Sequence, residues 1–203
     1  MNKPFVKQFA IVVAMIALPA LFAADKPKVD EDRECKRVLA EATDHALVGS
    51  DNLLNLVTHN DRMRIEKNLT KADKNAFKAA GDKVQAEWNK KFGKEFNAEK
   101  HVDDLGGLKV NITGAGTDQK ATIDLPSEPG EKAYEIHMLR ERSGFWRINL
   151  PDTVDGKTFY KNLMSSVDKV ANDWSKIPSD EAQAYQRVVT ELLHELAFPK
   201  SAT

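Results

Sequence analysis

Residues Gly144 to Leu150 read GFWRINL, and the alternation in them decides how the chain is built. In a strand, successive side chains point to opposite faces, so Trp146, Ile148 and Leu150 share one face, and Phe145, Arg147 and Asn149 share the other. Just upstream, KAYEIHML ends in the turn-forming segment ERSG. A three-residue hairpin loop over Arg142-Ser143-Gly144, with Gly144 in the left-handed conformation, sets the register. Glu141 then faces Phe145, Arg140 faces Trp146, Met138 faces Ile148 and Ile136 faces Leu150. One face becomes Tyr134, Ile136, Met138, Trp146, Ile148 and Leu150, almost wholly apolar. A slip of one residue would scatter that set over both faces. The apolar face is therefore the expected core.

The same register places Glu135, His137, Leu139, Arg147 and Asn149 together on the opposite face, with His137 across from Asn149 and Leu139 across from Arg147. Nowhere else does local spacing gather an acid, a His, an Arg and an amide. A His beside an acid can serve as a general base, and an Arg can hold an anion. The plainer reading is the solvated side of an antiparallel sheet. Glu135, His137, Arg147 and Asn149 are the candidate ligand-binding residues.

Upstream of this hairpin the alternation continues. LKVNI, the turn TGAGTD, QKATIDL and the turn PSEPG precede it. Four short strands joined by tight turns leave no room for a crossover helix, so an antiparallel meander is expected. Helical periods flank it. Cys35, Val38, Leu39, Ala42 and Ala46 recur at three and four, and Leu53, Leu54, Val57, Ile65 and Leu69 continue the pattern. Thr70 with Asp73 forms a capping box for a third helix whose stripe is Phe77, Ala80, Val84, Trp88 and Phe92. After the strands, Phe159, Leu163, Val167, Val170 and Trp174 mark another helix. Ser179 is the expected N-cap of a last one carrying Tyr185, Val188, Val189, Leu192 and Leu196, with Pro199 as its stop. The fold class is α+β: N-terminal helices, a four-stranded antiparallel meander, and two C-terminal helices packed with it.

At this point the chain resembles the nuclear transport factor 2-like, or cystatin-like cone, superfamily. The resemblance lies in the element order and in a closing strand of the form G-x-W-[KR]-I-x-L, here Gly144, Trp146, Arg147, Ile148 and Leu150. It implies a curved sheet with a pocket, in a family that includes isomerases, dehydratases, ligand-binding modules and assembly domains. Two helices after the last strand depart from the simplest version of that fold, and no Asp-His catalytic pattern carries over.

The N-terminus carries a targeting pattern. Lys3 and Lys7 precede an uncharged run from Phe9 to Ala24, and Ala23 and Ala24 stand just before Asp25. A positive start, an apolar middle and small residues at the end describe a secretory signal peptide over residues 1–24. The run is short for a membrane span, which takes about 20 residues. Removing it takes two lysines and no acid, moving the formal charge from −1 to −3. Residues 25–203 then form a single domain, exported to the periplasm or beyond. The lone cysteine, Cys35, has no internal disulfide partner and falls on an apolar helical stripe, as a core residue does.

Thirty basic and thirty-one acidic residues, without long runs of one sign, argue against nucleic-acid binding. No P-loop and no Gly-x-Ser-x-Gly elbow occurs. Glu191 and His194 share a helical spacing, but no second Glu-x-x-His accompanies them, so neither a metal nor a cofactor is expected. His101 with Asp103 and Asp104 falls in a loop. Three functions fit: a binding protein without catalysis, taking a small molecule or a protein partner; an enzyme using Glu135 or His137 as base with Arg147 holding an anion; or a homodimer formed through the sheet face.

Overall fold

The computed structural model describes residues 30–97, 100, 102–125 and 133–199. The expected signal peptide, the PSEPG turn and His101 lie outside the described residues.

The chain forms helices α1 (Glu31–Leu47), α2 (His59–Glu66) and α3 (Lys71–Phe92). Strands β1 (Lys109–Thr113), β2 (Lys120–Asp124), β3 (Tyr134–Arg140) and β4 (Trp146–Asn149) follow, then helices α4 (Gly156–Asn172) and α5 (Glu181–Leu193) and the two-residue strand β5 (Phe198–Pro199). The four main strands pair antiparallel in chain order, as a meander. Arg140 lies across from Trp146, Met138 from Ile148, and Leu139 from Arg147, which is the register read from the alternation. Gly144 takes φ +86°, and its N–H reaches the Glu141 carbonyl at 2.8 Å, closing the hairpin. Ile136, Met138, Trp146, Ile148 and Leu150 are all buried, with Ala121 and Ile123 of β2 beside them.

α1 lies against this inner face, meeting β1 and β4, while α3 packs along α4, and α5 packs on α1 and α4. The capping box forms: Asp73 N–H donates to Thr70 Oγ1 and Thr70 N–H to Asp73 Oδ2. Trp88 is fully buried, edge-on to Phe96 at 4.7 Å, and Phe96 in turn stacks on Tyr185. Cys35, on the buried side of α1, has its thiol pushed up to about 12 by burial together with Asp32, so it behaves as a small apolar residue. Gly81 meets Gly49 where α3 crosses the end of α1. A Cβ on Gly81 would stand 2.5 Å from the Gly49 nitrogen, which explains a glycine inside a helix.

Three local expectations are corrected. The stretch from Leu53 to Leu69 is not one helix. It runs as a 3-10 turn over Asp51–Asn55 and an extended bridge at Val57 before α2 begins. Val57 pairs with Ile148 through the backbone, in an extended and not a helical conformation, and its side chain is buried in the core. The last helix is capped by Asp180, whose carboxylate accepts the Gln183 N–H, one residue after Ser179. Finally, Pro199 does not simply stop that helix. A 3-10 turn at His194–Leu196 releases the chain, and Phe198 and Pro199 pair with Glu135 and Tyr134 at the part of β3 that β4 has left.

Candidate functional site

The outward face of the sheet falls into rows set by the register. Lys109, Asp124 and Glu135 form one row, continued by Phe198 of β5. Asn111, Thr122, His137 and Asn149 form the next. Thr113, Lys120, Leu139 and Arg147 form the third. A fourth, at the hairpin tip, holds Glu141 and Phe145, joined by the Glu141 N–H to the Phe145 carbonyl at 3.0 Å.

All four candidate residues therefore share one face, each half-buried. They do not converge on one point. Glu135 and His137, two apart on β3, meet directly: His137 Nε2 lies 2.7 Å from Glu135 Oε1. Phe198 stacks on the His137 ring, centroids 4.2 Å apart and planes 14° from parallel. Arg147 turns toward the hairpin tip. Its guanidinium donates to the Trp146 carbonyl at 3.1 Å, approaches Glu141 at 3.8 Å and lies 5.4 Å from the Phe145 ring centroid. Asn149 makes no side-chain hydrogen bond among the described residues.

Three further residues belong to this face and were not singled out from sequence. Phe198 arrives through β5, so no local spacing could place it over His137. Glu141 links the hairpin to α2, accepting the His59 N–H at 3.1 Å. Phe145 is 56 % exposed, an unusual state for a large aromatic side chain. Its outward position followed from the register, and its importance follows from the guanidinium stacked on it.

No known family, curated protein or solved structure matches this chain.

Away from the sheet, α1 lines a cleft of about 260 Å³ with Arg37, Glu41, Asp44 and His45. Burial, reinforced by Glu41, raises the Asp44 carboxyl to about 6, and Asp44 Oδ1 has no hydrogen-bond partner among the described residues. Burial lowers the His45 imidazole, with Glu41 opposing. Glu191 pairs with Lys169, and His194 stacks on Tyr134 at 5.0 Å, so these two helical neighbours have separate roles. Among the described residues no three His, Cys, Asp or Glu side chains gather as a metal set, and no helix is long and apolar enough to cross a membrane.

Proposed function

We propose that this is an exported binding protein, without catalysis of its own, that engages a partner protein through the outer face of its sheet. The observation that carries this reading is the hairpin tip: Phe145 stands exposed, with the Arg147 guanidinium over its ring and Glu141 beside it. Aromatic residues and Arg are enriched where protein interfaces bury their central contacts. Arg147 is held by its neighbours before any partner arrives, which reduces the ordering cost of binding. Half-buried Leu139 and Phe198 extend the surface along the sheet. Export rests on the leader pattern of residues 1–24, and the element order with its closing G-x-W-R-I-x-L strand supports the likeness to the nuclear transport factor 2-like superfamily.

The test is a photo-crosslinking residue placed at position 145 in the producing cell, with a second placed at Glu87 on α3 as a control. A discrete crosslinked protein at 145, absent at 87 and lost when Arg147→Ala is added, supports the reading. No product at 145, or the same products at both positions, contradicts it.

One observation favours the enzyme reading: the His137–Glu135 contact of 2.7 Å is the arrangement in which a carboxylate orients an imidazole base. Arg147 points to the hairpin tip, so an anion held there would lie away from that pair. His137→Ala separates the two readings. It abolishes turnover for an enzyme and leaves partner capture at 145 intact for a binding protein.

A further inference from the structure

The two edges of the sheet are finished differently. At β4 the edge is closed: Ile148 N–H donates to the Leu56 carbonyl at 2.8 Å, and the Ile148 carbonyl accepts the Thr58 N–H at 2.9 Å. The Trp146 carbonyl accepts the Arg147 guanidinium. At β1, among the described residues, no strand pairs with the outer edge.

Which groups that edge presents follows from the ladder. Leu125 N–H bonds to the Tyr134 carbonyl, and Arg140 N–H to the Gln119 carbonyl. Odd-numbered residues of β2 therefore bond toward β3. Its even residues Lys120, Thr122 and Asp124 bond toward β1, at Thr113, Asn111 and Lys109. The backbone N–H and C=O of Val110 and Ile112 are left pointing outward, away from the sheet. Their side chains belong to the inner, apolar face, yet both are only half-buried, while Ala121 and Ile123 of β2 beside them are fully covered. An open edge of this kind is a template for another strand.

The five residues Lys109-Val110-Asn111-Ile112-Thr113 select what pairs there. Laid antiparallel on its own copy and centred on Asn111, β1 is self-complementary. Val110 faces the partner subunit's Ile112 as a hydrogen-bonded pair, and the same pair recurs by symmetry, so all four outward backbone groups on each chain are satisfied. Two β-branched side chains meet across the join, a favourable cross-strand pair. Asn111 faces the partner subunit's Asn111 in the closer, non-hydrogen-bonded pair, amide to amide. Lys109 faces the partner subunit's Thr113, so no like charges are opposed.

We propose that the protein pairs with a second copy of itself through β1, joining two sheets into one continuous antiparallel sheet. The two-fold axis stands perpendicular to that sheet at Asn111. Both outer faces then look the same way, and the row Asn111, Thr122, His137, Asn149 runs on into the partner. This pairing uses the strand edge and is independent of what the outer face binds.

The experiment uses the chain expressed whole, with its own leader. Sedimentation velocity is expected to give a monomer–dimer equilibrium that moves with concentration. Asn111→Lys, at an exposed outward position, sets two ammonium groups opposite each other and is expected to abolish the dimer while the monomer melts as before. Leu139→Arg on the sheet face is expected to leave the dimer intact. Mild oxidation of Asn111→Cys is expected to give a disulfide-linked dimer, because paired Cα atoms at that position stand about 4.5 Å apart. Thr113→Cys is expected to link roughly tenfold more slowly or not at all, since symmetry separates its two copies by about 13 Å along the strands. A monomer at every concentration overturns the proposal. So do equal linking rates at 111 and 113, or a dimer that survives Asn111→Lys and is lost in Leu139→Arg, which would place the contact on the face.

Discussion

Asp61 Oδ2 accepts the backbone N–H of Leu150 at 2.9 Å, tying the first turn of α2 to the end of β4. The same carboxylate accepts the Thr58 hydroxyl at 2.7 Å and the Arg64 guanidinium at 2.7 Å. Asp61, Thr58 and Leu150 are buried, so the Leu150 amide and the Thr58 hydroxyl have no water to turn to, while the half-buried Arg64 also reaches Asp152 at 3.1 Å. Thr58 in turn bonds Ile148 through its backbone, and the closed edge of the sheet depends on this cluster.

Removing the carboxylate leaves the buried Leu150 amide and Thr58 hydroxyl without their acceptor, while Arg64 keeps Asp152. Asp61→Ala is expected to cost about 3 kcal/mol, the range for breaking a buried charged hydrogen-bond set. Urea unfolding of the two proteins measures it. A loss below about 1 kcal/mol would mean the cluster is not holding α2 to β4.

Gly81 gives a test in which intrinsic preference and packing disagree in sign. Helix propensity alone favours Gly81→Ala by about 1 kcal/mol. The close approach to Gly49 and to the Leu47 carbonyl, at 2.5 and 2.6 Å from the new Cβ, opposes it, because the atoms in the way are backbone. Net destabilisation of about 1–3 kcal/mol is expected. A stabilised Gly81→Ala variant would show that α1 and α3 can separate without cost.

Much of the fold could be read from the chain because several local signals agreed with the global arrangement. Leu139 apart, the apolar residues of β3 and β4 fall on one parity, so only one register keeps them together, and Gly144 supplies the turn that register needs. Thr70 and Asp73 mark a helix start by chemistry that operates within four residues. The segment from Leu53 to Val57 misled because its apolar spacing suits a helix, while its actual partner, Ile148, lies far along the chain. β5 was illegible for a related reason. A proline after a helix reads as a stop, and nothing local says that Phe198 returns to stack on His137. Of the candidate site, the Glu135–His137 contact was legible as two residues on one strand face. The turn of Arg147 toward Phe145 and Glu141 was not, since rotamer choice depends on neighbours that the register alone does not rank.

Asp44 predicts a dependence on pH. Its carboxyl ordinarily ionises near 3.8, and in the folded chain burial, with Glu41, raises it to about 6. The folded state thus holds this proton more tightly than the unfolded chain does. The stabilisation is complete below about 3.8 and is lost as pH rises through about 6. Asp44→Asn removes the titration. Relative to the parent protein, the variant is expected to gain about 1 kcal/mol, or roughly 2–4 °C, between pH 4 and pH 7.5, the shift being discounted for partial exposure. Thermal melts across that range check it, and a difference between the two proteins that stays constant with pH would contradict it.

The claim beneath the proposed function is that the even face of the β3–β4 hairpin holds the fold and the odd face is free to bind. Trp146 and Phe145 are adjacent in sequence and stand on opposite faces, one buried and one 56 % exposed. The most direct measurement is a pair of thermal melts. Trp146→Ala is expected to cost about 3–5 kcal/mol and lower the midpoint by roughly 10 °C. Phe145→Ala is expected to change it by no more than about 1–2 °C, the scale of an exposed substitution. A Trp146→Ala midpoint within a degree or two of the parent, or equal losses from both variants, would contradict the account.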